Sequence, residues 1–158
     1  LVNNKIDKKK DVIILYGDMP LLKYTTIKHM ISEYYKRKNP LLLCFRSKKK
    51  LDFGIVNFID NKIEKIVENK NLKDSFLKKN NYKIKNYNGG VIIVNYSILK
   101  KLLVQIKFDK KYNQKLLTDI FYISFKKNIL FEGFFTKKIN EMIGLNTKFD
   151  YMKIIKYI

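Results

Sequence analysis

Alanine and tryptophan are absent from this chain, which has one cysteine, one histidine, two prolines and two arginines. Each scarcity removes a class of chemistry. Cys44 alone can form neither an internal disulfide nor a CxxC metal or redox pair, and inside the apolar run "PLLLCF" it reads as a buried, inert thiol. His29 lies within a helical pattern and reads as a surface or satisfied residue, so neither an HExxH zinc helix nor a Ser-His or Cys-His nucleophile finds support. No GxxxxGK[ST] loop and no GxGxxG turn occurs. No apolar stretch approaches the roughly 20 residues that span a bilayer, and the first ten residues are polar rather than signal-like. The expectation is a soluble, cytoplasmic protein with no membrane partner.

Arginine scarcity also decides how the charge is read. The net charge is +20, yet only Arg37 and Arg46 are arginines, and the lysines are spread along the chain instead of forming one stripe. Arginine is the usual reader of bases and phosphates. The enriched residues (Lys, Asn, Ile, Tyr, Phe) have AT-rich codons and the depleted ones need G or C. Drift in an AT-rich genome therefore accounts for the charge, and this argues against nucleic acid as the partner. A Lys-rich nucleic-acid-binding domain stays as an alternative, one that a steep salt dependence of binding would reveal.

What is present suits one domain: 158 residues, 46% of them hydrophobic. "DVIILY" (11–16) and "PLLLCF" (40–45) read as strands buried on both faces. Residues 24–38 carry apolar side chains at helical spacing. Residues 52–58 and 62–68 form a β-hairpin around an Asp-Asn turn, and a short helix over about 72–79 follows. "YKIKNYNGGVIIVNY" (82–96) places a strand on each side of an Asn-Gly-Gly break. Helices are expected over 97–106, about 112–127 and 147–157, and a strand over 129–135. This alternation predicts an α/β fold with a mainly parallel sheet.

Ligands of open α/β sheets bind beyond the carboxyl ends of strands. Asp18 stands at such an end, after Gly17, and is either a turn or cap residue or a ligand for Mg²⁺. Gly54 either lets a ligand approach the backbone or marks a bulge. Glu68 is either a solvated strand end or an acceptor for hydroxyl groups, Asn88-Gly89-Gly90 either a plain turn or a site loop. Asn146 is a candidate N-cap for the last helix.

In order along the chain, "LYGDMPLL", "FG" in the hairpin, "IVE", "NGG", "LLTDIF" and "IGLN" resemble the pyrophosphorylase domain of the bifunctional uridylyltransferase/acetyltransferase of bacterial UDP-N-acetylglucosamine synthesis. The resemblance covers about residues 11–150. It implies a Rossmann-like nucleotidyltransferase fold with an inserted β-hairpin. The implied substrates are UTP and N-acetylglucosamine 1-phosphate and the implied cofactor is Mg²⁺, with a related sugar nucleotidyltransferase or a non-catalytic remnant as the alternative. By motif, Asp18 and Asn146 would be the metal ligands, with Asp18 the catalytic position. Tyr16 and Gly17 would lie beside the nucleotide sugar, and Gly54, Glu68 and Asn88 would hold the N-acetylglucosamine moiety.

Departures from the family pattern accompany the likeness. Ile55 stands where the GYGR motif has arginine, Phe53 where it has tyrosine, and Lys70-Asn71 where an acidic Lys-Asp pair follows the glutamate. The family's first strand, its Gly-rich LAAGxGTRM loop for the triphosphate and its uracil-reading segment have no counterpart in these residues. Residues 1–158 are therefore expected to be the C-terminal part of a single nucleotidyltransferase domain, first strand and phosphate loop missing. A separately made N-terminal fragment is a possible partner, and without one the chain is expected to be marginally stable and inactive.

Overall fold

The computed structural model describes residues 9–68 and 84–157. The helix expected over 72–79, together with Lys70 and Asn71, lies outside these described residues. In chain order the elements are β1 (Asp11–Leu15), α1 (Tyr24–Arg37), β2 (Leu41–Ser47), β3 (Ile55–Ile59), β4 (Lys62–Val67), β5 (Lys85–Asn95), α2 (Tyr96–Leu103), α3 (Asp119–Lys126), β6 (Glu132–Thr136), a 3₁₀ turn (Ile139–Met142) and α4 (Lys148–Ile154). Six strands form one sheet in the order β1-β5-β2-β6-β4-β3, and β3 also meets β5.

The sheet is mixed, not mainly parallel. Among the described strands only β2 and β6 pair in parallel, while β5 runs antiparallel between β1 and β2. The apolar runs that suggested parallel strands arise from burial on both faces, which is independent of direction. Leu42 and Cys44 face a core closed by Leu99 and Leu102 of α2 and by Ile120 and Phe121 of α3. Leu41, Leu43 and Phe45 alternate to the other side, against Met30 and Tyr34 of α1. Cys44 is fully buried, and that burial pushes its thiol well above the usual range, in keeping with an inert side chain.

The β1 strand differs from the expectation. It pairs only with β5, and Ile13 and Leu15 are 39% and 47% exposed. Its apolar composition is therefore only half used by the described residues.

The Asn-Gly-Gly segment is not a break between two strands. β5 runs through it with a bulge: Leu42 is opposite Ile92 and Cys44 opposite Asn88, so extra residues on β5 face β2. Gly90 takes a φ of +76°, a left-handed value that glycine adopts without cost. The hairpin turns on Asp60 and Asn61, with φ of 47° and 63°, which suits the twist of the β3–β4 pair.

The helix expected over 112–127 is shorter. Asp109 and Gln114 exchange backbone bonds, and the Asp109 carboxylate accepts from the Lys111 N–H at 2.8 Å. This local turn competes with helix and delays it to Asp119.

Candidate active site

Chain direction brings the loops after β1 and β6 to the same end of the sheet. Two contacts lock these loops together. The Asp18 carbonyl accepts from the Leu145 N–H at 2.7 Å. Glu141, 4% exposed, accepts from the Lys23 N–H at the start of α1 at 3.3 Å and lies 3.5 Å from Lys138 Nζ.

The result is a convergence of Asp18 and Asn146. Asp18 caps no helix, since the N-cap of α1 is Lys23. Asn146 caps none either, because Thr147 and Asp150 form the capping box of α4. A methyl group built on Gly144 would lie 3.2 Å from Asn146 Nδ2 and 3.3 Å from Asp18 Oδ2. The missing side chain of Gly144 is thus what gives the carboxylate and the amide a common space. Among the described residues no cluster of three or more His, Cys, Asp or Glu side chains is assembled.

The neighbouring part of the site is built from β3, β4 and β5. Gly54 is walled in: an added Cβ would meet Ile66 Cγ2 at 2.8 Å, Glu68 Oε2 at 3.5 Å and Asn88 Cβ at 3.8 Å. Its carbonyl accepts from the Asn88 N–H at 2.9 Å. Asn88 Oδ1 in turn accepts from the Gly90 N–H at 2.9 Å, which fixes the amide across the bulge. The Tyr16 ring rests on Gly90, where a Cβ would come within 2.7 Å of it. Burial first, then the carboxylates of Glu68 and Asp18, push the Tyr16 phenol above its usual range, so it keeps its proton and can donate a hydrogen bond. Glu68 Oε1 accepts from the Thr118 hydroxyl at 2.9 Å.

Two adjoining clefts contain these groups. The larger, about 730 Å³, is lined by Tyr16, Asp18, Gly54, Asn88, Gly144 and Asn146 among others. The smaller, about 480 Å³, shares Tyr16 and Gly54 with it and adds Glu68 and Thr118. Six of the seven residues singled out from the sequence therefore line these two adjoining clefts. Gly17 lines neither cleft, and a side chain there would meet nothing within 4 Å.

The departures from the family pattern also have definite places. Ile55 is 7% exposed and packs in the core on the α1 side, so it presents no cation to a phosphate. Phe53 packs edge-on against Phe45 and Tyr87. Sequence reasoning gave no role to Gly144, Glu141 or Thr118. Of these Gly144 and Thr118 left a trace, the one in "IGLN" two residues ahead of the candidate ligand Asn146, the other in "LLTDIF"; Glu141 left none.

Comparison with solved structures defines the class. The fold is the Rossmann-like α/β fold of nucleotide-sugar pyrophosphorylases. A UTP-bound UGPase from Acinetobacter baumannii superposes with a TM-score of 0.63 at 14% identity, over 94% of this chain and 50% of that one. A nucleoside-diphosphate-sugar pyrophosphorylase from Vibrio cholerae gives 0.60 at 12% identity, over 96% and 58%. Among curated proteins the chain is similar to the bifunctional protein GlmU. It is 30% identical to that of Buchnera aphidicola over 158 residues, 99% of this chain and 33% of the relative. It is 32% identical to that of Wolbachia pipientis wMel over 142 residues, 90% and 31%. The chain thus spans about a third of the length of the curated relatives it matches. No family model matches it.

Proposed function

We propose that this chain carries the sugar-phosphate- and Mg²⁺-binding part of a sugar nucleotidyltransferase. The reaction assigned is synthesis of UDP-N-acetylglucosamine and pyrophosphate from UTP and N-acetylglucosamine 1-phosphate, a cytoplasmic step toward cell-wall precursors. The observation that carries this reading is the convergence of Asp18 and Asn146 on Gly144, in one cleft with Gly54 and Asn88 and next to the cleft that holds Glu68. Similarity to GlmU over nearly the whole chain supports the choice of substrates.

In the overall reaction a phosphate oxygen of N-acetylglucosamine 1-phosphate attacks the α-phosphorus of UTP and pyrophosphate departs. No protein nucleophile is required, so the protein's task is positioning and charge neutralisation. A carboxylate plus an amide oxygen suit Mg²⁺, which takes few protein ligands and completes its shell with phosphates and water. Asp18 and Asn146 would hold it, Asn146 presenting Oδ1 after a half-turn of its amide. Bound there, the ion would neutralise phosphate charge. Glu68 and Asn88 would take sugar hydroxyls and the acetamido group, and the backbone at Gly54 would approach the sugar. The Tyr16 phenol, which lines both clefts, would donate a hydrogen bond to the nucleotide sugar.

The exposed edge of β1 gives this reading a partner. Among the described strands β1 alone has a single neighbour, and its outward apolar side chains and unpaired backbone edge are those of a strand awaiting another. A further segment of the same domain, on this or a separate polypeptide, would add there and bring the triphosphate loop that residues 1–158 do not contain. The purified chain is expected to release no pyrophosphate from UTP and N-acetylglucosamine 1-phosphate in Mg²⁺, while still binding the sugar phosphate. Sustained turnover by the chain alone would contradict this division of labour.

A further inference from the structure

Thr118 occupies the N-cap position of α3, yet its side chain makes no capping hydrogen bond. Thr118 is itself in helical conformation, and the first-turn N–H groups of Asp119, Ile120 and Phe121 bond to the carbonyls of Leu116, Leu117 and Thr118, so no capping role falls to its hydroxyl. Instead its hydroxyl donates across 50 residues of sequence to Glu68 Oε1, at 2.9 Å. Thr118 is buried, at 9% exposure, and both residues line the smaller cleft with Tyr16 and Gly54. The other carboxylate oxygen, Glu68 Oε2, accepts no side-chain bond from Thr118 and lies beside Gly54, 3.5 Å from where a side chain there would begin.

We propose that Thr118 is a positioning residue for sugar recognition: its hydroxyl holds Glu68 by Oε1, so that Oε2 is left for a ligand hydroxyl in the smaller cleft. This rests on the sugar-phosphate reading of the site and names a residue that reading does not require. A glutamate without such a donor samples several rotamers in an open cleft, and each ligand binding event must select one of them. The Thr118 bond removes that selection in advance. The carboxylate thereby gains a fixed direction at no cost to the helix, whose first N–H groups are held by backbone carbonyls.

The test is calorimetric titration of the full chain with N-acetylglucosamine 1-phosphate in Mg²⁺, with circular dichroism confirming that each variant folds. Thr118→Val, close in shape but without the hydroxyl, is expected to weaken binding by about tenfold, the scale of one hydrogen bond to a charged group. Thr118→Ser is expected to restore wild-type affinity. In a Glu68→Ala background, Thr118→Val is expected to have no further effect, because the carboxylate through which it acts is gone. Wild-type affinity in Thr118→Val overturns the role of Thr118 while leaving the site reading intact. Failure of Thr118→Ser to rescue, or a loss that persists without Glu68, makes Thr118 a merely structural residue and also overturns the proposal. Absence of sugar-phosphate binding by the wild-type chain overturns the site reading, and this inference with it.

Discussion

Asp18→Ala is expected to abolish the Mg²⁺-dependent component of sugar-phosphate binding, a loss of about a hundredfold or more when one of two protein ligands to a hard cation is removed. Asp18→Asn keeps the shape and removes the charge, so it is expected to fall between wild type and alanine. Neither change should unfold the chain, because the Leu145 N–H is held by the Asp18 backbone carbonyl and not by its carboxylate. Titration of N-acetylglucosamine 1-phosphate with Mg²⁺ and then with EDTA separates the contributions. In wild type EDTA should remove most of the affinity; in Asp18→Ala it should change nothing. A variant that keeps a full response to Mg²⁺ would place the metal elsewhere.

Gly89→Ala is expected to be the most damaging small substitution to stability. The added methyl would lie 2.8 Å from both Leu43 Cγ and the Leu43 carbonyl oxygen. Leu43 belongs to β2, which lies between β5 and β6, and is fully buried, so its backbone cannot retreat. Overpacking of this kind costs about 3 kcal/mol, at the upper end of the usual range. For a chain of this size that lowers Tm by roughly 10 °C. Thermal unfolding followed by circular dichroism measures it. A Tm within a degree or two of wild type would mean that β5 is not seated on β2 as described.

Much of this architecture was legible in the sequence because local patterns dictate it. The helical spacing of Met30 and Tyr34 places α1, within one residue of its observed end at Arg37. The Asp60-Asn61 turn announces the hairpin. What was not legible depends on partners distant in sequence. Strand direction is one case: Val91 to Val94 read alike whether β5 runs with β1 or against it. The bulge is another, since only the slip in pairing between Leu42 and Cys44 distinguishes it from a turn between two strands.

The site shows the same divide. Asp18 and Asn146 could be marked as candidates from their motifs, but their capping alternatives fell only once Lys23 and Thr147 were seen to start the helices. The Thr118–Glu68 bond joins residues 50 positions apart and has no local signature. Lysine excess, the most conspicuous feature of the composition, contributes Lys153 to the larger cleft and Lys115 to the smaller, neither of them a motif residue.

The most direct test of the central claim is an amide NMR titration of the full chain with N-acetylglucosamine 1-phosphate in Mg²⁺. Saturable shifts are expected at Tyr16, Asp18, Gly54, Asn88 and Asn146, reversed by EDTA. Shifts scattered over lysine-rich surfaces and reproduced by a nucleic-acid duplex, or no shifts at these five residues, would contradict the assignment of a sugar-phosphate and metal site.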